Sequence, residues 1–321
     1  MEIKDFYQVP VKKRAAILEK AVLDAHHFHF EHNAAYRSAL TAREIGGDIH
    51  KADFVRLLRP AALTFKGYID RIGLFAEKDP VGLVAWLREQ ISIPLPERHE
   101  SLRKQYPSFE ALLSDLERIY ANMGMEFVTS SGTSGRASIV PRNGETIAGS
   151  VNAFFTSIQR AWEIRQGMAL IFMMPYDTRV ALARTARFGT RELDWASSSP
   201  VYYTMPFNAT PDRIRIRAGR SFRPGLQGLI EKRVLHPLLG WANEHLADPR
   251  ILQHTQQRLE QCVQENRPLL LLGGLVQLHG LVQHIQMELP SGSRVATGGG
   301  MKELYPFTPE QIRADLRAAF P

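Results

Sequence analysis

From residue 126 onward, short apolar runs alternate with amphipathic segments of helical length, and that alternation restricts the fold more than any other feature. Strand candidates are 126–130, 169–174, 201–205, 269–272 and 294–297, with a further short apolar pair at Ile139-Val140. Helical patterns lie between them, near 145–164, 178–186, 225–247, 249–266 and 275–289. A chain alternating in this way is expected to fold as α/β layers, a largely parallel sheet flanked by helices. Such sheets bind ligands at the carboxyl ends of their strands. Upstream, residues 1–107 read as a mostly helical region, separated by Pro94, Pro96 and Pro107 from an α/β region at 108–321. Ser108 is placed to cap a helix whose apolar face is Phe109, Leu112, Leu113, Leu116 and Ile119.

Two glycine-rich loops fall where strands are expected to end. The first follows Phe127-Val128 and consists of seven small or hydroxylated residues: Thr129, Ser130, Ser131, Gly132, Thr133, Ser134 and Gly135, with Arg136 next. Glycines let backbone N–H groups turn inward and hydroxyls add donors, which together make a cradle for phosphate oxygens. A flexible polar turn between two strands has the same composition. The second loop is Gly298, Gly299 and Gly300, after the strand candidate 294–297, and Lys302 follows it. Three glycines allow close approach to a flat ligand face, and a lysine brings a cation to a phosphate or carboxylate. Neither loop is a Walker or dinucleotide-binding fingerprint.

Residues 129–138 resemble the phosphate-binding signature of the adenylate-forming enzymes, T-S-G-T-T-G-x-P-K, with Ala137 in place of the proline and Ser138 in place of the lysine. The later Gly-Gly-Gly-Met-Lys302 is similar to a G-G-G-aromatic-Lys motif of the acyl-protein synthetase branch, the fatty-acid ligases of bacterial bioluminescence; Met301 stands for the aromatic residue. The resemblance implies the large N-terminal domain of such an enzyme. It also implies ATP-dependent activation of a carboxylic acid, a fatty acid for example, as an acyl-adenylate, then transfer to a protein cysteine or a coenzyme A thiol. In that scheme the 129–136 loop holds ATP phosphates and Gly298–Gly300 line the adenine and acyl-carboxylate side. Mg2+ offsets phosphate charge, and Lys302 is the catalytic candidate. Met174 and Tyr176, in Met173-Met-Pro-Tyr-Asp177, are candidates for the acid's pocket, or else ordinary core and turn. Nothing after Lys302 matches the family's metal-binding glutamate, ribose-binding aspartate or mobile C-terminal domain, and that domain is expected to be absent. A phenylacetate-type acyl-coenzyme A ligase and a non-catalytic nucleotide- or partner-binding remnant are the alternatives.

Other features carry less chemistry. His26, His27, His29 and His32 end a helical pattern built on Val11, Ala15, Leu18, Val22 and Ala25. Without an H-E-x-x-H or nearby carboxylate set, they read as solvated imidazoles beside packed Phe28 and Phe30, and no metal site is expected. Arg213, Arg215 and Arg217 alternate as on one face of an edge strand. Cys262 is in helical register with Leu252, Leu259 and Val263, as core packing. A lone cysteine excludes an intrachain disulfide and suits a reducing cytoplasm. The net charge of +7 allows an acidic protein partner, but no nucleic-acid-binding motif accompanies it. Apolar runs are too short for a membrane span, and no G-x-S-x-G elbow marks a serine hydrolase.

Overall fold

The computed structural model describes residues 6, 8–58, 65–130, 137–192, 198–297 and 305–321, which form two compact units, Met1–Thr146 and Ile147–Pro321.

In the first unit, helix α1 (Val11–His32) precedes α2 (Ala34–Thr41). The expected apolar face of α1 is wrong: Val11, Leu18 and Val22 are exposed, and the buried residue is His26. Leu23 and Phe30 pack around Leu40, Ile45 and Ile49, while Phe28 stays exposed. His26 Nε2 lies 3.0 Å from the Gly46 carbonyl and Nδ1 3.0 Å from the Tyr36 hydroxyl. A carbonyl only accepts, so Nε2 carries the proton and Nδ1 accepts from Tyr36. This imidazole is a core residue with both nitrogens engaged, not a solvated one.

Helices α3 (Pro80–Gln90) and α4 (Phe109–Ile119) carry the main core of this unit. Asp79 caps α3 by accepting from the Gly82 amide, and Ser108 caps α4 by accepting from Ala111. All five apolar positions expected on α4 are buried, against Tyr68, Trp86 and Leu87. Strands β1 (Glu126–Thr129) and β2 (Ile139–Arg142) form an antiparallel hairpin whose Phe127 and Ile139 enter that core. Thus β1, where the hydroxyl-rich stretch begins at Thr129, pairs in a two-stranded hairpin rather than joining the parallel sheet as the alternation suggests.

The second unit is the α/β part. Helix α5 (Gly144–Ala161), within whose first turn the division falls, precedes β3 (Ala169–Pro175), α6 (Ala181–Glu192) and β4 (Val201–Met205). Helix α7 (Pro211–Ala218) and a long helical run, α8 (225–264), lead to β5 (Leu269–Gly273). Then come α9 (Leu275–Val282), β6 (Arg294–Thr297) and α10 (Pro309–Ala319). The four strands are parallel in the order β4-β3-β5-β6. All of β3 and β5 is buried, as continuous apolar runs such as Leu269–Gly273 require when helices cover both faces. Leu170, Phe172 and Met174 face α5 and α6; Ala169, Ile171 and Met173 face α8 and α9.

Two helix assignments differ from the sequence reading. Residues 225–247 and 249–266 are one run, its α segments joined through π turns at Glu231–Leu235 and Asn243–Ala247. Arg213, Arg215 and Arg217 lie on helix α7, not a strand. Thr210 caps that helix, Pro211 fits its first turn, and Gly219 closes it in the left-handed region.

Arg215 is buried and grips Glu231 with two hydrogen bonds, of 2.9 and 2.6 Å. The Arg223 amide and guanidinium reach the same carboxylate at 2.9 and 3.1 Å. Burial pushes the Glu231 carboxyl up, but Arg215 and Arg223 override it and hold it below its ordinary value. Gly228 permits this closure, since a Cβ there would sit 1.6 Å from the Arg223 carbonyl oxygen. Cys262 is buried beside Leu259, with Val263 turned to solvent. No helix among the described residues is long and apolar enough to cross a membrane.

Candidate functional site

The strand order reverses direction between β3 and β5: the chain leaves β3 toward β4 on one side and β5 toward β6 on the other. In open α/β sheets the crevice at such a reversal, beyond the carboxyl ends, is where ligands sit. β3 ends there at Pro175, and the next residue, Tyr176, is 42% exposed. The turn is fixed by Thr178, whose hydroxyl donates to the Ala209 carbonyl at 2.8 Å.

Helix α6 runs back past this turn and brings two arginines, one helical turn apart, onto the tyrosine. Arg187 stacks over the Tyr176 ring with its guanidinium carbon 4.3 Å from the centroid. Arg191 lies 5.6 Å from the same centroid and donates to the Tyr176 hydroxyl. Tyr203, from β4, meets Tyr176 edge-on at 5.2 Å, and its hydroxyl lies 3.3 Å from Thr190 Oγ1. Burial pushes the Tyr203 phenol up, against the Thr190 hydrogen bond and the two guanidiniums.

The cluster's anionic partner is weak. Asp177 is 3.4 Å from Arg187 and accepts a 3.3 Å bond from Asn208, but its side chain is largely solvent-exposed. Such a pair contributes little. Arg191 has no carboxylate partner among the described residues. Two guanidiniums converging on an exposed phenol are equipped to hold a carboxylate or phosphate. Gly189 seats the helix that carries them: a Cβ there would meet the Phe155 ring of α5 at 2.2 Å.

On the other face of the crevice, a cavity of about 660 Å3 opens beyond the ends of β3, β4 and β5. Met173, Met205, Phe207 and Leu275 give it an apolar wall; Arg217 and His284 are among its polar groups.

The hairpin of the first unit is a separate feature. Thr129 pairs with Ile139, and one residue further the Ser138 amide donates to Ser130 Oγ at 3.0 Å. The Ser130 amide returns a 3.3 Å bond to the Ser138 carbonyl. Ala137 is held by the Tyr68 hydroxyl, which donates to its carbonyl at 2.9 Å. Thr129 Oγ1 is fully buried and has no hydrogen-bond partner among the described residues. A buried hydroxyl without a partner costs about 1–3 kcal/mol, so its presence calls for an explanation.

Of the residues singled out in the sequence, Thr129 and Ser130 lie in this hairpin, while Ser131, Gly132, Thr133, Ser134, Gly135 and Arg136 fall outside the described residues. Gly298, Gly299, Gly300 and Lys302 also fall outside them; β6 ends at Thr297, immediately before the three glycines. Met174 is buried in the α5–α6 core, and Tyr176 is the open end of the arginine cluster. Arg187 and Arg191 lie beyond the helix expected at 178–186, which in the structure extends to Glu192. Their four-residue spacing just after a strand-turn was the signal. Among the described residues no group of three or more His, Cys, Asp or Glu side chains is placed to hold a metal ion. Compared with known proteins, the chain matches no protein-family profile, no curated protein and no solved structure.

Proposed function

We propose that the chain binds ATP and a carboxylic acid and activates the acid as an acyl-adenylate, in the manner of the acyl-protein synthetases it resembles. The observation carrying this reading is the hairpin. Mutual Ser130–Ser138 bonds close the β1–β2 pair on either side of a sequence rich in Gly, Ser and Thr, and the Thr129 hydroxyl next to them has no partner among the described residues.

In this reading one carboxylate oxygen of the acid attacks the α-phosphorus of ATP and pyrophosphate leaves. A thiolate, of coenzyme A or a protein cysteine, then attacks the acyl carbon and AMP leaves. Thr129, Ser130 and the loop through Arg136 contribute donors to the phosphates. Gly298–Gly300 line the adenine and acyl-carboxylate side, and Lys302 is the cation nearest that chemistry in sequence. Within the second unit, Arg187 and Arg191 offer paired guanidiniums to a carboxylate beside Tyr176. Magnesium enters with the nucleotide as the counter-ion of its phosphates.

A second reading, binding without turnover, is favoured by Ser138. It stands where the resemblance expects a lysine, is buried, and its amide closes the hairpin. Hydroxylamine trapping separates the two. The protein, ATP, magnesium and a panel of aliphatic and aromatic acids are scored for hydroxamate and pyrophosphate. Hydroxamate from one acid class supports adenylation and names the class. ATP binding with neither product supports the second reading, and no ATP binding sinks both.

A further inference from the structure

The first half of α8 exposes an apolar stripe. Leu226, Leu229, Ile230, Val234, Leu238 and Trp241 are each between 45% and 73% exposed. In an ideal α-helix a four-residue spacing drifts about 40° around the axis per step, which would spread these positions over the surface. The π turn at Glu231–Leu235 absorbs an extra residue and returns Val234 and Leu238 to the line begun by Leu226 and Ile230. The buried positions, Gly228 and Glu231, lie elsewhere on the helix.

The charge within the span of the stripe is basic, and the first exposed acid, Glu244, lies one turn past Trp241. From Arg220 to Trp241 the exposed charged side chains are Arg220, Lys232 and Arg233. The single carboxylate in that stretch, Glu231, is buried against Arg215 and Arg223. Lys232 and Arg233 fall inside the span of the stripe while Glu244 and Asp248 lie beyond its last residue, so the apolar span itself is flanked by cations. A convex helix with leucines and a tryptophan on one side and basic residues alongside suits a lipid headgroup layer, the more so if the lipids are anionic.

We propose that this half of α8 lies in the interface of an anionic bilayer, its apolar stripe at the acyl-chain boundary and Lys232 and Arg233 among lipid phosphates. This is attachment to one leaflet, and it does not depend on the adenylation reading.

The test is sedimentation of the full chain with vesicles of phosphatidylglycerol and phosphatidylcholine, against phosphatidylcholine alone. Binding is expected only to the anionic vesicles and is weakened by high salt. The pair Val234→Asp and Leu238→Asp, both exposed and checked for an unchanged circular dichroism spectrum, is expected to weaken binding about tenfold or more; Lys232→Glu with Arg233→Glu should do likewise. Trp241 emission should shift to shorter wavelength on binding, and Trp241→Phe should remove most of that shift. Equal binding to neutral vesicles, a shift that persists without Trp241, or apolar-pair variants that bind as well as the parent would overturn the proposal. So would absence of binding, or a dimer in solution that the aspartate pair dissociates; those results would give the stripe to a protein partner.

Discussion

The guanidiniums of Arg215 and Arg223 and those of Arg187 and Arg191 belong to the same α/β unit, yet they meet opposite surroundings. The first pair closes on Glu231, with side chains 3–14% exposed and every contact between 2.6 and 3.1 Å. The second stands at the carboxyl end of the sheet on a phenol and a screened aspartate. A closed cluster is already satisfied, and removing its anion takes away the carboxylate that both buried guanidiniums grip, although Asp212 still lies 3.3 Å from Arg223. An open one contributes little to stability and keeps its donors for something that arrives. Arginine content alone does not distinguish the two; the burial of a matching carboxylate does.

The sharpest way to break the comparison is Glu231→Ala. Removing one partner of a buried ion pair costs about 3–5 kcal/mol. Denaturant unfolding of that variant should lose this much; a loss under about 1 kcal/mol would mean the cluster is not closed in solution. The same carboxylate gives a pH signature. Its folded value is depressed, so its contribution is complete above the ordinary glutamate value of 4.5 and fades as pH falls from there through the folded value. Glu231→Gln should flatten that part of the stability profile.

Next in size is Gly189→Ala, which drives a methyl into the Phe155 ring beneath the open cluster. About 1–3 kcal/mol of stability should go, and ligand affinity with it, because α6 carries both arginines. Arg191→Ala should leave the unfolding midpoint near the parent value while weakening acid binding about 10- to 100-fold, the worth of a charged hydrogen bond. Calorimetric titration reads it, and equal loss of stability in Arg191→Ala and Glu231→Ala would erase the distinction between the clusters. The smallest effect belongs to Cys262, buried among Leu259 and its neighbours with its thiol pushed up by burial. It should resist alkylation in the native protein and react only on unfolding.

Strand positions were legible because a continuous apolar run such as 269–272 has few ways to be buried except in a sheet. Helix α4 was legible because its cap and its apolar spacing agree. The reading failed where two periodicities overlap. Arg213, Arg215 and Arg217 alternate like a strand, yet Thr210-Pro211 and Gly219 enclose a helix, and the end signals prevailed. In α1 the spacing of Val11, Leu18 and Val22 suggested a buried face, but His26 bonds both Tyr36 and Gly46 and turns a different side inward. The break expected between 247 and 249 disappeared because a π turn accommodates the sequence before Pro249 without ending the helix. For the site, the hydroxyl-rich stretch is visible as composition, whereas the hold of Tyr68 on Ala137 depends on a partner 69 residues away. The open arginine cluster depends on how far α6 extends, which local pattern alone left short.

The most direct test of the open-cluster account is acid-dependent hydroxamate formation by the parent protein and by Arg187→Ala with Arg191→Ala, run with an ATP-binding titration of each. The account predicts product from the parent, its loss in the double variant, and retained ATP binding in both. Undiminished hydroxamate in the double variant would contradict it, placing the acid's carboxylate somewhere other than the carboxyl end of β3.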